Sequence, residues 1–150
     1  MSKKHKRYSL IIGAIATVLT LRLELDYSGI ASEGLTLSSI VLAIYVAAMM
    51  GLIGSRLADR LAATVTPDGE HTQLWVLREY FKNALIFASI TIVVSSVVLL
   101  YPDMDYEQMT EIQQSCYKLL SIVGIVSYAL NLFYMGITLV FMLNRQIWNE

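Results

Sequence analysis

The sequence predicts an all-α polytopic membrane protein: one membrane domain over residues 1–150, folded as a bundle of four transmembrane helices with both termini cytoplasmic. Three observations favour this fold class. Apolar residues make up 56% of the chain and charged residues only 15%, whereas about a quarter of a soluble domain is charged. The uncharged runs 35–55, 83–101 and 119–144 each match the roughly 20 residues that a helix needs to cross a bilayer. Basic residues also concentrate on one side of these runs.

The first predicted helix covers residues 8–25. Its uncharged part, Tyr8 to Leu21, is short and follows the basic KKHKR, which is the pattern of a signal peptide. No small-x-small cleavage site follows, because RLELD comes next. When the helix is extended to Leu25, with Arg22 and Glu24 reaching to the interface, it is long enough to span a bilayer.

The other elements follow from the uncharged runs. We predict helices at 35–58, 80–101 and 117–144, outer loops at 26–34 and 102–116, and a cytoplasmic loop at 59–79. Neither proline, Pro67 or Pro102, interrupts a predicted span, so the spans should be unbroken. The segment QLWVLREYFKNA, which begins at Gln73, fits either an interfacial helix or the first turns of the third span.

The charges predict the orientation. Nine basic residues fall on one predicted side: Lys3, Lys4, Lys6, Arg7, Arg56, Arg60, Arg78, Lys82 and Arg145. Only Arg22 and Lys118 fall on the other side. The positive-inside rule therefore predicts cytoplasmic termini. Most tyrosines, Tyr27 among them, fall near predicted helix ends, where aromatic rings favour the headgroup zone.

The chain has a single cysteine, Cys116, so it lacks the intrachain disulfides of claudin-like or tetraspanin-like four-span proteins. Together with the small size of the chain, this favours a protein of the bacterial inner membrane. Cys116 would be either an unpaired thiol or part of an intersubunit bridge.

The second helix carries a stripe of small residues at every fourth position. This small-residue stripe consists of Ser39, Ala43, Ala47, Gly51 and Ser55. Small residues at this spacing let two helix backbones approach closely in lipid. We expect the stripe to mark a contact within one chain, with contact between subunits as the alternative.

The fourth helix carries a polar seam. It consists of Ser121, Gly124, Tyr128, Asn131, Met135 and Thr138, at alternating spacings of three and four. The amide of Asn131, near the middle of the span, should point inward, because hydrocarbon cannot satisfy it. It would then form either a structural hydrogen bond or, if several copies surround an axis, the lining of a pore.

The predicted spans lack residues that could act as catalytic or proton-transfer groups inside the membrane. No predicted span has a titratable residue near its middle, and no base lies near Ser95, Ser96, Ser121 or Ser127 to activate a nucleophile. His5 and His71 are isolated in cytoplasmic segments, and the acidic DMDYE turn from Asp103 to Glu107 fits an exposed loop better than a calcium site. Nucleotide and phosphate motifs are absent. We therefore predict no enzyme activity, cofactor, metal or nucleic-acid partner.

Three functions fit this architecture. The first is a small homo-oligomeric subunit that anchors or scaffolds a cytoplasmic protein, by analogy of size and layout with four-span proteins of phage-defence and toxin-immunity gene pairs. Its partner surface would include Trp75, Arg78 and Trp148. The second is a homo-oligomeric pore or membrane-perturbing effector lined by the fourth helix. The third is an uncoupled small-molecule facilitator.

The predicted orientation can be tested with reporter fusions. Because basic residues favour the cytoplasmic side, fusions after Asp68 and Glu150 should report cytoplasm, and fusions near Glu33 and Glu107 should report the outer side. A C-terminal fusion that reports the outer side would contradict this topology.

Overall fold

The structure, a computed structural model, describes residues 3–66, 69, 71–100 and 110–147. This part of the chain contains five α-helices: α1 (Lys3–Arg22), α2 (Ala31–Leu52), α3 (Arg56–Ala63), α4 (Gln73–Leu100) and α5 (Glu111–Ile147). A single 3₁₀ turn, Ser28–Ile30, leads into α2. Extended pairing among the described residues is limited to one isolated antiparallel bridge between Val65 and Thr72. The prediction of an all-helical chain is confirmed.

Three of the described helices are long and apolar enough to cross a membrane. They correspond to Ser28–Leu52, Gln73–Leu100 and Glu111–Phe141. Helix α1 is not among them, since its first two turns carry the basic KKHKR segment. Along α1 the apolar side chains Leu10, Ile15 and Val18 are exposed. A fourth span over residues 8–25 therefore stays a prediction.

The predicted second helix, 35–58, is two helices in the structure, and this corrects its boundaries. Helix α2 ends at Leu52 because Ile53 is extended and Gly54 has a φ of 73°, a left-handed conformation that glycine adopts without steric cost. Ser55 then caps α3: its hydroxyl accepts a hydrogen bond from the Ala58 N–H at 3.2 Å. The loop predicted at 59–79 thus begins as a short helix.

Helix α4 is longer than the predicted third helix, 80–101. It begins at Gln73, so the QLWVLREYFKNA segment forms its first turns rather than a separate interfacial helix. Leu77, Tyr80 and Phe81 in these turns are buried, because α2, α3 and α5 pack around them. The first and last helices also differ in extent from 8–25 and 117–144, and α2 begins inside the predicted outer loop 26–34.

Helix α4 lies at the centre of the packing. It makes extensive contacts with both α2 and α5, and α3 packs against its first turns. Helix α1 packs chiefly on α5. Ala84 and Ala88, both fully buried, keep the surface of α4 small where its neighbours approach.

Candidate functional site

The polar seam of α5 faces the other helices of the same chain. Ser121, Gly124, Asn131 and Thr138 are buried, and Tyr128 and Met135 are half-buried. A spacing of three and four residues keeps such side chains on one side of a helix. The structure therefore brings the six seam residues to the inside of the helical packing.

Asn131 joins α5 to α2. Its side chain is 0% exposed, and its amide Nδ2 donates a hydrogen bond to Ser38 Oγ at 3.0 Å. The amide oxygen Oδ1 has no hydrogen-bond partner among the described residues. One N–H of the amide is thus satisfied by a neighbouring helix, whereas Oδ1 is a buried acceptor that no described protein group reaches.

A second polar contact links α5 to α4 one turn away. The hydroxyl oxygens of Thr91 and Ser127 lie 3.1 Å apart, and both residues are buried. Thr91 also donates to the Phe87 carbonyl at 2.8 Å, and Ser127 to the Gly124 carbonyl at 3.0 Å. Each hydroxyl therefore keeps a partner on its own helix, which removes the cost of burying it.

Tyr27 lies at a helix end, directly before the 3₁₀ turn, as the sequence predicts. Its side chain is nevertheless 0% exposed, so it packs inside the protein instead of presenting its ring to the headgroup zone. Its hydroxyl shares a hydrogen bond with Ser95 of α4 at 2.8 Å, and its backbone N–H donates to Ser121 of α5 at 3.4 Å. Of the two glycines that flank its ring, Gly34 falls in the predicted outer loop 26–34 and Gly124 in the predicted fourth helix, so no local sequence pattern links them to Tyr27.

Two glycines make room for the Tyr27 ring. A Cβ atom added at Gly124 would lie 2.5 Å from the ring carbon Cδ1, and one added at Gly34 would collide with the hydroxyl. Gly34 is on α2 and Gly124 is on α5. The connection between α1 and α2 is therefore held between three helices by one aromatic side chain.

A cavity of 470 Å³ opens between the end of α1 and the start of α5. Its polar lining residues are Thr20, Glu24, Asp26, Tyr117, Lys118 and Ser121. Burial raises the pKa of Asp26, but hydrogen bonds from Ser28, Tyr117 and Ser121 outweigh that effect and hold it below its ordinary value. Because the carboxylate is ionised and already accepts these bonds, it is a structural acceptor rather than a base ready to take a proton.

The small-residue stripe lies on the outside of the chain. Ser39, Ala43, Ala47 and Gly51 are exposed, no atom lies within 4 Å of a Cβ built at Gly51, and Ser55 caps α3 instead of continuing α2. The buried face of α2 is an adjacent one, formed by Ala31, Gly34, Ser38, Val41 and Tyr45. The expected contact within one chain is therefore not made by these residues, and contact between subunits stays a prediction.

The predicted partner surface is described in part. Trp75 is 39% exposed and stacks on His71, with ring centroids 3.8 Å apart. Arg78, one turn further along α4, is exposed. Trp148 lies outside the described residues, as does the DMDYE turn.

The histidines and the cysteine do not form a reactive cluster in the described part of the chain. His5 is half-buried rather than isolated, because its Nδ1 is hydrogen-bonded to the Tyr80 hydroxyl. Cys116 is an exposed free thiol. Among the described residues, no group of three or more His, Cys, Asp or Glu side chains could hold a metal ion.

The fold and its apolar spans define the class of this chain, which is that of helical membrane proteins. Comparison with protein-family models, curated proteins and solved structures finds no match for it. Function therefore has to be inferred from the buried contacts and the exposed surfaces described above.

The close packing of the Tyr27 ring against Gly124 can be tested by adding one methyl group. Gly124→Ala should lower the free energy of unfolding by about 1–3 kcal/mol, because the added Cβ overlaps the Tyr27 ring. Gly136→Ala is the matched control on the same helix, since nothing lies within 4 Å of its Cβ position. Thermal unfolding in detergent measures the stability of both variants. Equal stability of the two would contradict the close packing of Tyr27 against Gly124.

The role of Asn131 can be tested by combining stability and flux. In the structural interpretation, Asn131→Leu and Ser38→Ala should show a coupling free energy of about 1 kcal/mol in a double-mutant cycle. Ion flux in reconstituted vesicles should then fall no faster than assembly. If flux is abolished by Asn131→Leu while assembly persists, and becomes cation-selective with Asn131→Asp, Asn131 lines a pore instead.

Proposed function

We propose that the chain is a small oligomeric subunit of the bacterial inner membrane that anchors or scaffolds a cytoplasmic protein. In this proposal α1 is a fourth span and both termini are cytoplasmic. A role in a defence or toxin-immunity gene pair rests on analogy of size and layout alone. The subunit would act through a partner rather than through chemistry of its own.

This proposal rests on the contacts that the buried polar side chains of the described residues make with one another. The Asn131 amide bonds to Ser38, Thr91 lies against Ser127, and Tyr27 bonds to Ser95. Each of these contacts joins two segments of the same chain. Side chains that hold helices together in this way are poorly available to a substrate, which favours a structural role for the membrane part.

Exposed side chains support a partner at the predicted cytoplasmic end. Trp75 keeps part of its ring exposed, and Arg78 is exposed beside it on α4. Trp and Arg are enriched among the residues that dominate binding at protein interfaces. The exposed small-residue stripe of α2 supports the oligomeric part of the proposal, because small side chains permit close contact with a helix of a second copy.

One observation favours the pore as a second candidate. Asn131 Oδ1 is buried without a hydrogen-bond partner among the described residues. Buried polar atoms of this kind are satisfied by water where a cavity admits it. The flux measurements on the Asn131 variants separate this candidate from the scaffold.

The scaffold can be tested by affinity capture with the product of the neighbouring gene. Trp75→Ala, Arg78→Ala and Trp148→Ala should each reduce capture, by about tenfold or more where the side chain anchors the interface. Arg22→Ala removes a basic residue from the opposite end of the helices and should leave capture unchanged. Undiminished capture by all three variants would remove this surface from the proposal.

A further inference from the structure

A second cavity, of 360 Å³, lies where α2 ends and α4 begins. Met49, Leu52 and Ala58 line its sides, and Leu77 and Phe81 form its floor with exposures of only 2% and 1%. Its volume falls within the range of roughly 300–1,000 Å³ that is common for ligand pockets. The lining is apolar except for one charged side chain, Arg78.

The backbone explains why this space is open. Gly54, with its left-handed conformation, redirects the chain after α2, and the Ser55 cap starts α3 in a new direction. Helix α3 then buries Leu61 against the core instead of filling the wedge between α2 and α4. Both α2 and α4 are candidate membrane spans, so the wedge lies at the end of two apolar helices.

Arg78 gives the pocket its chemical preference. Within the described part of the chain, its guanidinium makes no hydrogen bond or ion pair, while the nearby Lys82 pairs with Glu79 at 4.0 Å. Arginine stays charged at any physiological pH, and its planar donors match the oxygens of a phosphate group. An unpaired guanidinium beside an apolar pocket therefore favours a ligand with both a hydrocarbon chain and a phosphate.

The surroundings select one such ligand. Arg56 and Arg60 on α3 are exposed and add positive charge to the same end of the helices, and basic pockets between spans are known to bind anionic lipid headgroups. We propose that this pocket binds an anionic glycerophospholipid, with part of one acyl chain against Leu77 and Phe81 and the phosphate on Arg78. The proposal depends neither on the orientation of the chain nor on a protein partner. Arg78 also belongs to the predicted partner surface, and lipid binding by the purified chain alone separates this proposal from the scaffold.

The experiment is lipid titration of the purified, delipidated chain, followed by native mass spectrometry. Phosphatidylglycerol should bind with about tenfold or greater preference over phosphatidylcholine, because only the former carries net negative charge. Arg78→Gln should remove most of this preference. Arg60→Gln, which removes the same charge from α3 without touching the pocket, should retain it. Equal losses in the two variants would show general surface attraction and overturn the proposal.

A second pair of variants tests the apolar part. Ala58→Trp should fill the pocket and weaken binding of both lipids by about tenfold or more, whereas Ala62→Trp, on the exposed side of α3, should not. Unchanged binding by a folded Ala58→Trp variant would refute the pocket, and if this variant fails to fold, the arginine pair still decides. Competition by inorganic phosphate as strong as that by phosphatidylglycerol would show a free-phosphate site and would likewise refute it.

Discussion

Apolar surroundings force polar side chains to find their partners inside the protein, and the helix packing of this chain depends on that constraint. In hydrocarbon, an unpaired donor or acceptor costs several kcal/mol. The hydroxyl of Ser38 is buried on α2 at the position where it accepts from Asn131, and Thr91 is buried on α4 opposite Ser127. These contacts fix how far each helix is rotated about its own axis, which apolar packing alone specifies weakly.

The short polar side chains on neighbouring helices can reach one another because the helix backbones approach closely. Serine and threonine side chains extend only a short way from their helices, so they can meet only where the intervening residues are small. Gly34 and Gly124 leave the space that Tyr27 occupies. The small side chains of Ala84 and Ala88 allow neighbouring helices to approach α4 closely. Tyr27 then joins the α1–α2 connection to α4 and α5.

The sequence was sufficient to predict the helical class, the three long apolar spans and the α5 face that carries the polar seam. It was insufficient for the rotation of α2, where Ser39 was favoured and the neighbouring Ser38 is the buried residue. In a span that is apolar all round, periodicity identifies possible faces, but the partner helix decides which of them is buried. The break at Gly54 was missed for a related reason, since an uncharged run conceals a change of direction. The burial of Tyr27 depends on two glycines that are distant in sequence, which no local pattern reveals.

The packing of α1 on α5 has a consequence for biosynthesis. Helix α1 precedes α5, its main neighbour, in the chain and therefore leaves the ribosome before it. The contacts of Tyr27 with Ser95 and Ser121 likewise join residues that are 68 and 94 positions apart. The early helix must therefore wait for its main neighbour until α5 has been synthesised, and the native packing of the two helices forms only after that step.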